Sequence, residues 1–179
     1  NQMRARDNEA VKKLPSYHVI ILAKNEIGRV NLYRMVSWSH LDYYARVPRI
    51  PKSILQKYSE GLIIGSACEA GELYQALVRS APEEEIARLV NFYDYLEIQP
   101  LGNNEFMLRG ERQFFESKED LLRLNKRNVS LGEQSHKPVV ATRDVHFLKP
   151  EDGGYSRNIM TGKGSQDAAQ QEHEQLGNT

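Results

Sequence analysis

Cysteine is nearly absent from this 179-residue chain, and its single thiol, Cys68, excludes an internal disulfide. Such sparse use of cysteine is typical of a reducing compartment, so we expect a cytoplasmic protein. Long apolar runs are also lacking, since those at 19–23 and 62–64 are far too short to cross a bilayer. No signal-peptide segment follows Asn1, and the start without Met leads us to expect a piece of a longer protein.

An excess of charge of either sign is missing as well. Lys and Arg together number 24, as do Asp and Glu, so the formal net charge is zero. A domain that grips nucleic acid by its phosphates usually carries a basic excess. We therefore expect that this chain does not itself hold a duplex, although 40% hydrophobic residues are enough for a domain with a core.

Short apolar runs alternate with helical patterns along the chain. Strands are predicted near 17–23, 61–66, 94–99 and 138–143. Helices are predicted near 29–44, 53–58, 71–80, 82–93, 118–135 and 155–160, whereas 101–116 gives no clear pattern. The alternation favours βαβ crossovers and an α/β fold with mostly parallel strands.

Three helices show features that predict their orientation. Ser117 and Asp120 form a variant capping box at the start of the helix near 118–135. The expected buried positions are Leu32, Val36, His40 and Tyr43 in the first helix, Ile86, Leu89, Val90 and Tyr93 in the fourth, and Leu121, Leu124 and Leu131 in the fifth.

The strand near 138–143 ends in Asp144 and His146, two residues apart. Residues i and i+2 of a strand point to one face, so both side chains should project together from the strand end. A carboxylate and an imidazole are common ligands of zinc, manganese and iron. Taken alone, however, the pair is more often a strand-end turn with a surface histidine.

Two further residues could join this pair. Cys68 follows the strand near 61–66, and His40 lies near the C-terminal end of the first helix. Each has an ordinary structural explanation. Cys68 could be a small core residue, and His40 could be a buried histidine whose ring is already hydrogen-bonded. Together, His40, Cys68, Asp144 and His146 are a plausible ligand set for zinc, whereas His18, His136 and His173 receive no role.

Five stretches resemble PolC-type DNA polymerase III alpha subunits of low-GC Gram-positive bacteria. They are YHVIILAKN at 17–25, NLYRMVSWSHL at 31–41, RVPRIPK at 46–52, GSACEAGE at 65–72 and ATRDVHFL at 141–148. They occur in the family's order and extend the resemblance from about residue 8 to 171.

The resemblance implies the second half of a PHP (polymerase and histidinol phosphatase) domain, a distorted β/α barrel of mostly parallel strands. It implies a linker at 1–16 that follows an inserted exonuclease, the PHP half at 17–161 and a polar, disordered tail at 162–179. It also implies that His40, Cys68, Asp144 and His146 match metal ligands, with no catalytic residue in this chain. Arg143 departs from the family, where a small residue often precedes the aspartate.

The function implied is that of a fragment of a replicative DNA polymerase, with a mainly structural, metal-binding role. The remainder of the alpha subunit, primer-template DNA and the sliding clamp would be partners through the parent chain, and no membrane is expected. Zinc or manganese would occupy an incomplete PHP site, and magnesium would serve the parent polymerase. The alternatives are a free-standing PHP-type phosphoesterase, disfavoured because the chain has no His-x-His motif, and an interaction module with vestigial ligands.

Overall fold

The computed structural model describes residues 14–108 and 115–143, together with Val145, Leu148, Lys149, Asp152 and Gly154. The predictions for the helix at 155–160 and the tail at 162–179 lie outside these residues, as does most of the linker at 1–16.

Strands and helices follow each other along the chain much as the sequence predicts. The strands are β1 (Ile20–Ala23), β2 (Leu62–Gly65), β3 (Leu96–Ile98) and β4 (Val139–Ala141). The helices are α1 (Glu26–Leu41), α2 (Lys52–Lys57), α3 (Glu72–Val78), α4 (Glu83–Phe92), α5 (Leu101–Asn104) and α6 (Lys118–Ser135). A 3₁₀ turn at Glu105–Leu108 extends α5, in the region that gave no clear pattern. Among the residues described, no helix is long and apolar enough to span a membrane.

The four strands lie side by side in the same order as in the sequence. β1 pairs with β2, β3 pairs with β4, and one parallel bridge between Gly65 and Tyr95 connects the two pairs. The Asp94 N–H donates to the Ile64 carbonyl oxygen at 2.7 Å and strengthens that connection. Within the described ranges the strands form an open arrangement, with β1 and β4 at its edges.

The expectation of mostly parallel strands is confirmed for β2, β3 and β4, and β1 is the exception. β3 and β4 are parallel, but β1 runs antiparallel to β2, with Ile20 opposite Gly65 and Ala23 opposite Leu62. Two helices, α1 and α2, lie between β1 and β2. Two helices also separate β2 from β3, which are parallel, so the number of intervening helices does not by itself set the direction of β1.

Helices cover one face of this sheet and form the main core there. The side chains that are almost wholly inaccessible to solvent are Leu73, Leu89, Leu96 and Leu121. They come from α3, α4, β3 and α6, and burying each contributes roughly 1.5–3 kcal/mol to folding. The main core cluster also contains Leu62 and Ile64 of β2, and thus joins both strand pairs to the helices.

The predicted orientations of α4 and α6 are confirmed. Ile86, Leu89, Val90 and Tyr93 are all buried, as are Leu121, Leu124 and Leu131. The Asp120 carboxylate accepts the Ser117 backbone N–H at 3.0 Å, which is the predicted capping interaction. α6 ends at Ser135, because the next residue, His136, has a left-handed φ of 54° and Pro138 follows shortly after.

The predicted buried face of α1 is wrong at Val36 and His40, whereas Tyr43, just beyond the helix, is buried and Leu32 is partly buried against the core. Gly28, Asn31 and Met35 are its buried residues, whereas Val36 is half exposed. Gly28 packs so closely on Gly61 that an added Cβ would lie 1.8 Å from the Gly61 carbonyl oxygen. A small residue and an asparagine therefore make this contact, which a count of apolar residues cannot detect.

Candidate metal site

Cys68 lies in a compact turn that follows β2. Ala67 adopts a left-handed φ of 61°, which redirects the chain directly before Cys68. The Gly71 N–H closes the turn by donating to the Cys68 carbonyl oxygen at 2.9 Å. A Cβ at Gly71 would lie 2.2 Å from the Ser66 carbonyl oxygen, so the turn needs glycine there. These constraints fix Cys68 at the C-terminal end of β2.

His18 meets Cys68 at this point. Its Nδ1 lies 3.4 Å from the Cys68 Sγ, and its backbone N–H donates to the Ala70 carbonyl oxygen at 2.9 Å. Because β1 is antiparallel to β2, the start of β1 lies beside the end of β2. In an all-parallel sheet the start of β1 would lie at the opposite edge, which is why sequence analysis gave His18 no role. The signal that could have found it is the position of His18 two residues before the strand.

The surroundings of Cys68 favour its neutral thiol. Burial is the main cause that raises its pKa, and the nearby Glu69 carboxylate adds to the increase. The Ala70 backbone opposes the shift by hydrogen bonding to the sulfur. A cation at the sulfur would offset both unfavourable effects, since metals bind the thiolate.

His40 makes its contacts within its own part of the chain. Its Nδ1 lies 2.8 Å from the Val36 carbonyl oxygen and 3.2 Å from the Ser39 Oγ, and its ring centroid is 6.5 Å from that of Tyr44. The side chain is exposed on α1. The structure therefore pairs His18 with Cys68, and shows no corresponding contact between His40 and another described residue of the predicted site.

The other two predicted ligands, Asp144 and His146, lie outside the described residues. Thr142, which the structure does describe, follows β4 and donates its Oγ1 proton to the Glu97 Oε2 at 3.1 Å. Arg143 is exposed to solvent. In the described part of the chain, no group of three or more His, Cys, Asp or Glu residues is arranged to hold a metal ion.

The fold and the site define an α/β domain with a thiol–imidazole pair where β1 begins and β2 ends. The sequence pattern of the PHP domain family matches residues 3–100, more than half of the chain. The chain belongs to the PHP domain family.

Relatives extend the similarity beyond residue 100 and confirm the resemblance to PolC-type polymerases. The chain is 54% identical over 164 residues to the DNA polymerase III PolC-type of Clostridium perfringens, covering 92% of this chain and 11% of that protein. It is 53% identical over 161 residues to that of Caldanaerobacter subterraneus, covering 90% and 11%. Identity to that of Bacillus subtilis is 40% over 164 residues, covering 92% and 11%. The chain thus spans about a tenth of the length of these relatives.

Proposed function

We propose that this chain is part of a PolC-type replicative DNA polymerase and forms the C-terminal half of its PHP domain. Similarity to three polymerases over at least 90% of the chain supports this proposal, and favours it over a free-standing phosphoesterase. The parent would extend a primer with deoxynucleoside triphosphates, using magnesium at residues outside this chain. The chain itself would be inactive in synthesis and mainly structural.

The partners and location follow from that parent. The remainder of the alpha subunit would contact this chain directly, while primer-template DNA and the sliding clamp would bind elsewhere on the parent in the cytoplasm. The zero net charge supports this division, because a surface that holds a duplex needs a basic excess.

The uncovered face of the sheet supports the proposal of a partial β/α barrel. Residues opposite each other in register point to the same face. The face away from the helices therefore carries, on its four strands, Ile20, Leu22, Ile63, Gly65, Tyr95, Glu97, Val140 and Thr142.

Several apolar side chains on this face are only partly covered by the described residues. Ile20, Leu22 and Val140 are 38%, 49% and 37% exposed, whereas Leu96 on the opposite face is 0% exposed. Strands with apolar residues on both faces are typical of sheets that are buried on both sides. We infer that this is the interior face of the barrel, and that the parent chain supplies the strands that close it.

The Cys68–His18 pair supports a metal-binding role. A zinc ion with tetrahedral geometry places a sulfur and a nitrogen ligand about 3.6 Å apart. The observed separation of Sγ and Nδ1 is 3.4 Å, so the two side chains fit one such ion. Manganese prefers oxygen ligands, so the thiolate favours zinc.

We propose Asp144 and His146 as further ligands, as the resemblance implies, and retain His40 as a weaker candidate. A metal held by these residues would connect the start of β1, the end of β2 and the segment that follows β4. When bound, the metal would supply positive charge that stabilises the Cys68 thiolate and could polarise a water molecule. The residues of this chain would bind and orient it.

Zinc titration by calorimetry tests this proposal in the polypeptide with a complete PHP domain. Cys68→Ser and His18→Ala should each weaken binding by about 100-fold, because a structural site shares roughly 10–16 kcal/mol among about four ligands. Asp144→Asn and His146→Ala should also weaken binding, and His40→Ala should show whether His40 contributes. His136→Asn is the control, since it changes an exposed histidine at the end of α6. Unchanged zinc affinity in both Cys68→Ser and His18→Ala would refute the site.

A further inference from the structure

Glu97 has a buried carboxylate on the uncovered face of the sheet, and only one of its two carboxylate oxygens accepts a hydrogen bond from a described residue. The residue is 6% exposed. Its Oε2 accepts the Thr142 hydroxyl at 3.1 Å, whereas its Oε1 is buried without a hydrogen-bond partner among the described residues. No salt bridge in the described part of the chain involves Glu97. Such a group is costly to bury, so its presence needs an explanation.

The backbone of Glu97 is held from two sides. Its N–H donates to the Ser66 Oγ at 2.9 Å, and its carbonyl oxygen accepts the Asn128 Nδ2 at 2.7 Å. Ser66 and Asn128 are both buried. Helix α6 and the end of β2 therefore fix Glu97, which makes it a rigid support for whatever its carboxylate contacts.

The contacts of Glu97 lead directly to proposed metal ligands. Ser66 stands two residues before Cys68, and Thr142 stands two residues before Asp144. The Thr142 backbone N–H also donates to the Ile98 carbonyl oxygen at 3.0 Å, which continues the β3–β4 ladder past β4. Glu97 thus connects the two chain segments that carry Cys68 and Asp144.

The carboxylate also affects its neighbour on the same face. Burial, the nearby Glu97 charge and a side-chain interaction with the Glu97 carboxylate raise the pKa of Tyr95 to about 12, so its phenol stays neutral at physiological pH. The Tyr95 ring packs on Gly65, where a Cβ would lie 2.3 Å from the ring. Glu97 therefore lies in a closely packed environment that limits alternative positions for its side chain.

We propose that Glu97 is a positioning residue for the metal site, holding Thr142 and through it the segment that carries Asp144. The inference rests on the proposed metal function. The hydrogen bond from Thr142 to the carboxylate is the interaction that carries the effect. Groups that orient metal ligands typically change metal affinity by about 10–100-fold when they are removed.

Cobalt titration of the polypeptide with a complete PHP domain tests this inference. The thiolate-to-cobalt charge-transfer absorption measures how much cobalt is bound. Glu97→Met and Thr142→Val should each lower cobalt affinity by about tenfold or more. The double variant should bind cobalt as tightly as the single variant with the lower affinity, because both changes remove the same hydrogen bond. Glu97→Gln should retain affinity within about threefold, because its amide oxygen can still accept the Thr142 hydroxyl. Glu105→Met is the matched control, since Glu105 is also a buried carboxylate but lies beyond α5.

Hydrogen exchange of residues 138–148 in the metal-free protein separates this inference from the proposed function. Glu97→Met and Thr142→Val should accelerate exchange there, whether or not the protein binds metal. Faster exchange without any cobalt binding by the wild type would refute the metal function and, with it, the positioning role. Normal cobalt binding by the wild type, with unchanged affinity in Glu97→Met or an equal loss in Glu97→Gln and Glu97→Met, would refute the role of Glu97 alone.

Discussion

The Cys68 Sγ lies 3.4 Å from the His18 Nδ1, although the two residues are 50 positions apart in the chain. The contact depends on the antiparallel pairing of β1 and β2, which brings the start of one strand to the end of the other. It also depends on the turn at Ala67 and Gly71, which directs Cys68 toward that edge. A thiol and an imidazole in contact at a sheet edge are a suitable pair of metal ligands.

The thiol of Cys68 should titrate at higher pH in the folded protein than in the unfolded one. Burial and the Glu69 carboxylate raise its pKa on folding, so the thiolate fraction at a given alkaline pH is smaller when the protein is folded. Stability from this group should accordingly fall as the pH rises from the unfolded to the folded pKa. Alkylation of Cys68 in the metal-free protein across pH, with and without urea and quantified by mass spectrometry, measures both midpoints. A folded midpoint at or below the unfolded one would contradict the prediction.

Replacing Gly28 should destabilise the fold through a steric clash. A Cβ there would lie 1.8 Å from the Gly61 carbonyl oxygen, so Gly28→Ala should cost about 1–3 kcal/mol of unfolding free energy. Gly102→Ala is the control, because no described residue lies within 4 Å of its Cβ position, and it should be neutral or stabilising. Chemical denaturation of both variants compares them, and equal stabilities would show that the close approach is not required.

Local sequence signals predicted the elements that depend on local physics. The capping residues Ser117 and Asp120 and the apolar stripe of α6 were predicted correctly, as was the stripe of α4. A capping box and an apolar stripe are each encoded by residues that lie close together in the sequence. Their success therefore depended little on the rest of the fold.

Features that depend on distant partners were harder to predict. The face of α1 is determined by contact with Gly61 and by Asn31, whose Nδ2 donates to the Glu60 carbonyl oxygen at 3.1 Å. The direction of β1 is set by its pairing with β2, which lies beyond two helices in the chain, and the partnership of His18 with Cys68 follows from it. The hydrophobic periodicity of the sequence carries no information about the contacts that set the face of α1 or about the direction of β1. Cys68 could be singled out as a candidate ligand because it follows a buried strand, which is a local signal.

Removing the Asp120 carboxylate should weaken the start of α6. It accepts the backbone N–H groups of Ser117 and Glu116 at 3.0 and 3.1 Å, which would otherwise lack partners at the helix end. Asp120→Ala should therefore cost about 1 kcal/mol of stability. Glu119→Ala is the matched control, since Glu119 is exposed in the same turn. The two variants are compared by urea denaturation, and a larger loss in Glu119→Ala would contradict this account of the cap.

The open face of the sheet leads to a prediction about the complete domain. Leu22 is 49% exposed, and Leu122, on α6, is 41% exposed. If the face that carries Leu22 stays uncovered in the complete domain, truncating either side chain should lower stability by a similar small amount. If the barrel closes over the face that carries Leu22, that side chain becomes part of a core. Leu22→Ala would then leave a cavity and should cost about 2–5 kcal/mol.

Leu122→Ala should stay within about 0.5 kcal/mol, as is usual for exposed positions. Thermal unfolding of the polypeptide with a complete PHP domain distinguishes the two cases, because a cavity lowers the Tm and loss of an exposed side chain barely changes it. Val140→Ala provides a second test on the same face, since Val140 lies on β4, at the opposite edge of the sheet from Leu22. Closure of the barrel requires Leu22→Ala and Val140→Ala to lower the Tm more than Leu122→Ala. Equal shifts in all three variants would mean that the parent chain leaves this face exposed and that the barrel proposal is wrong.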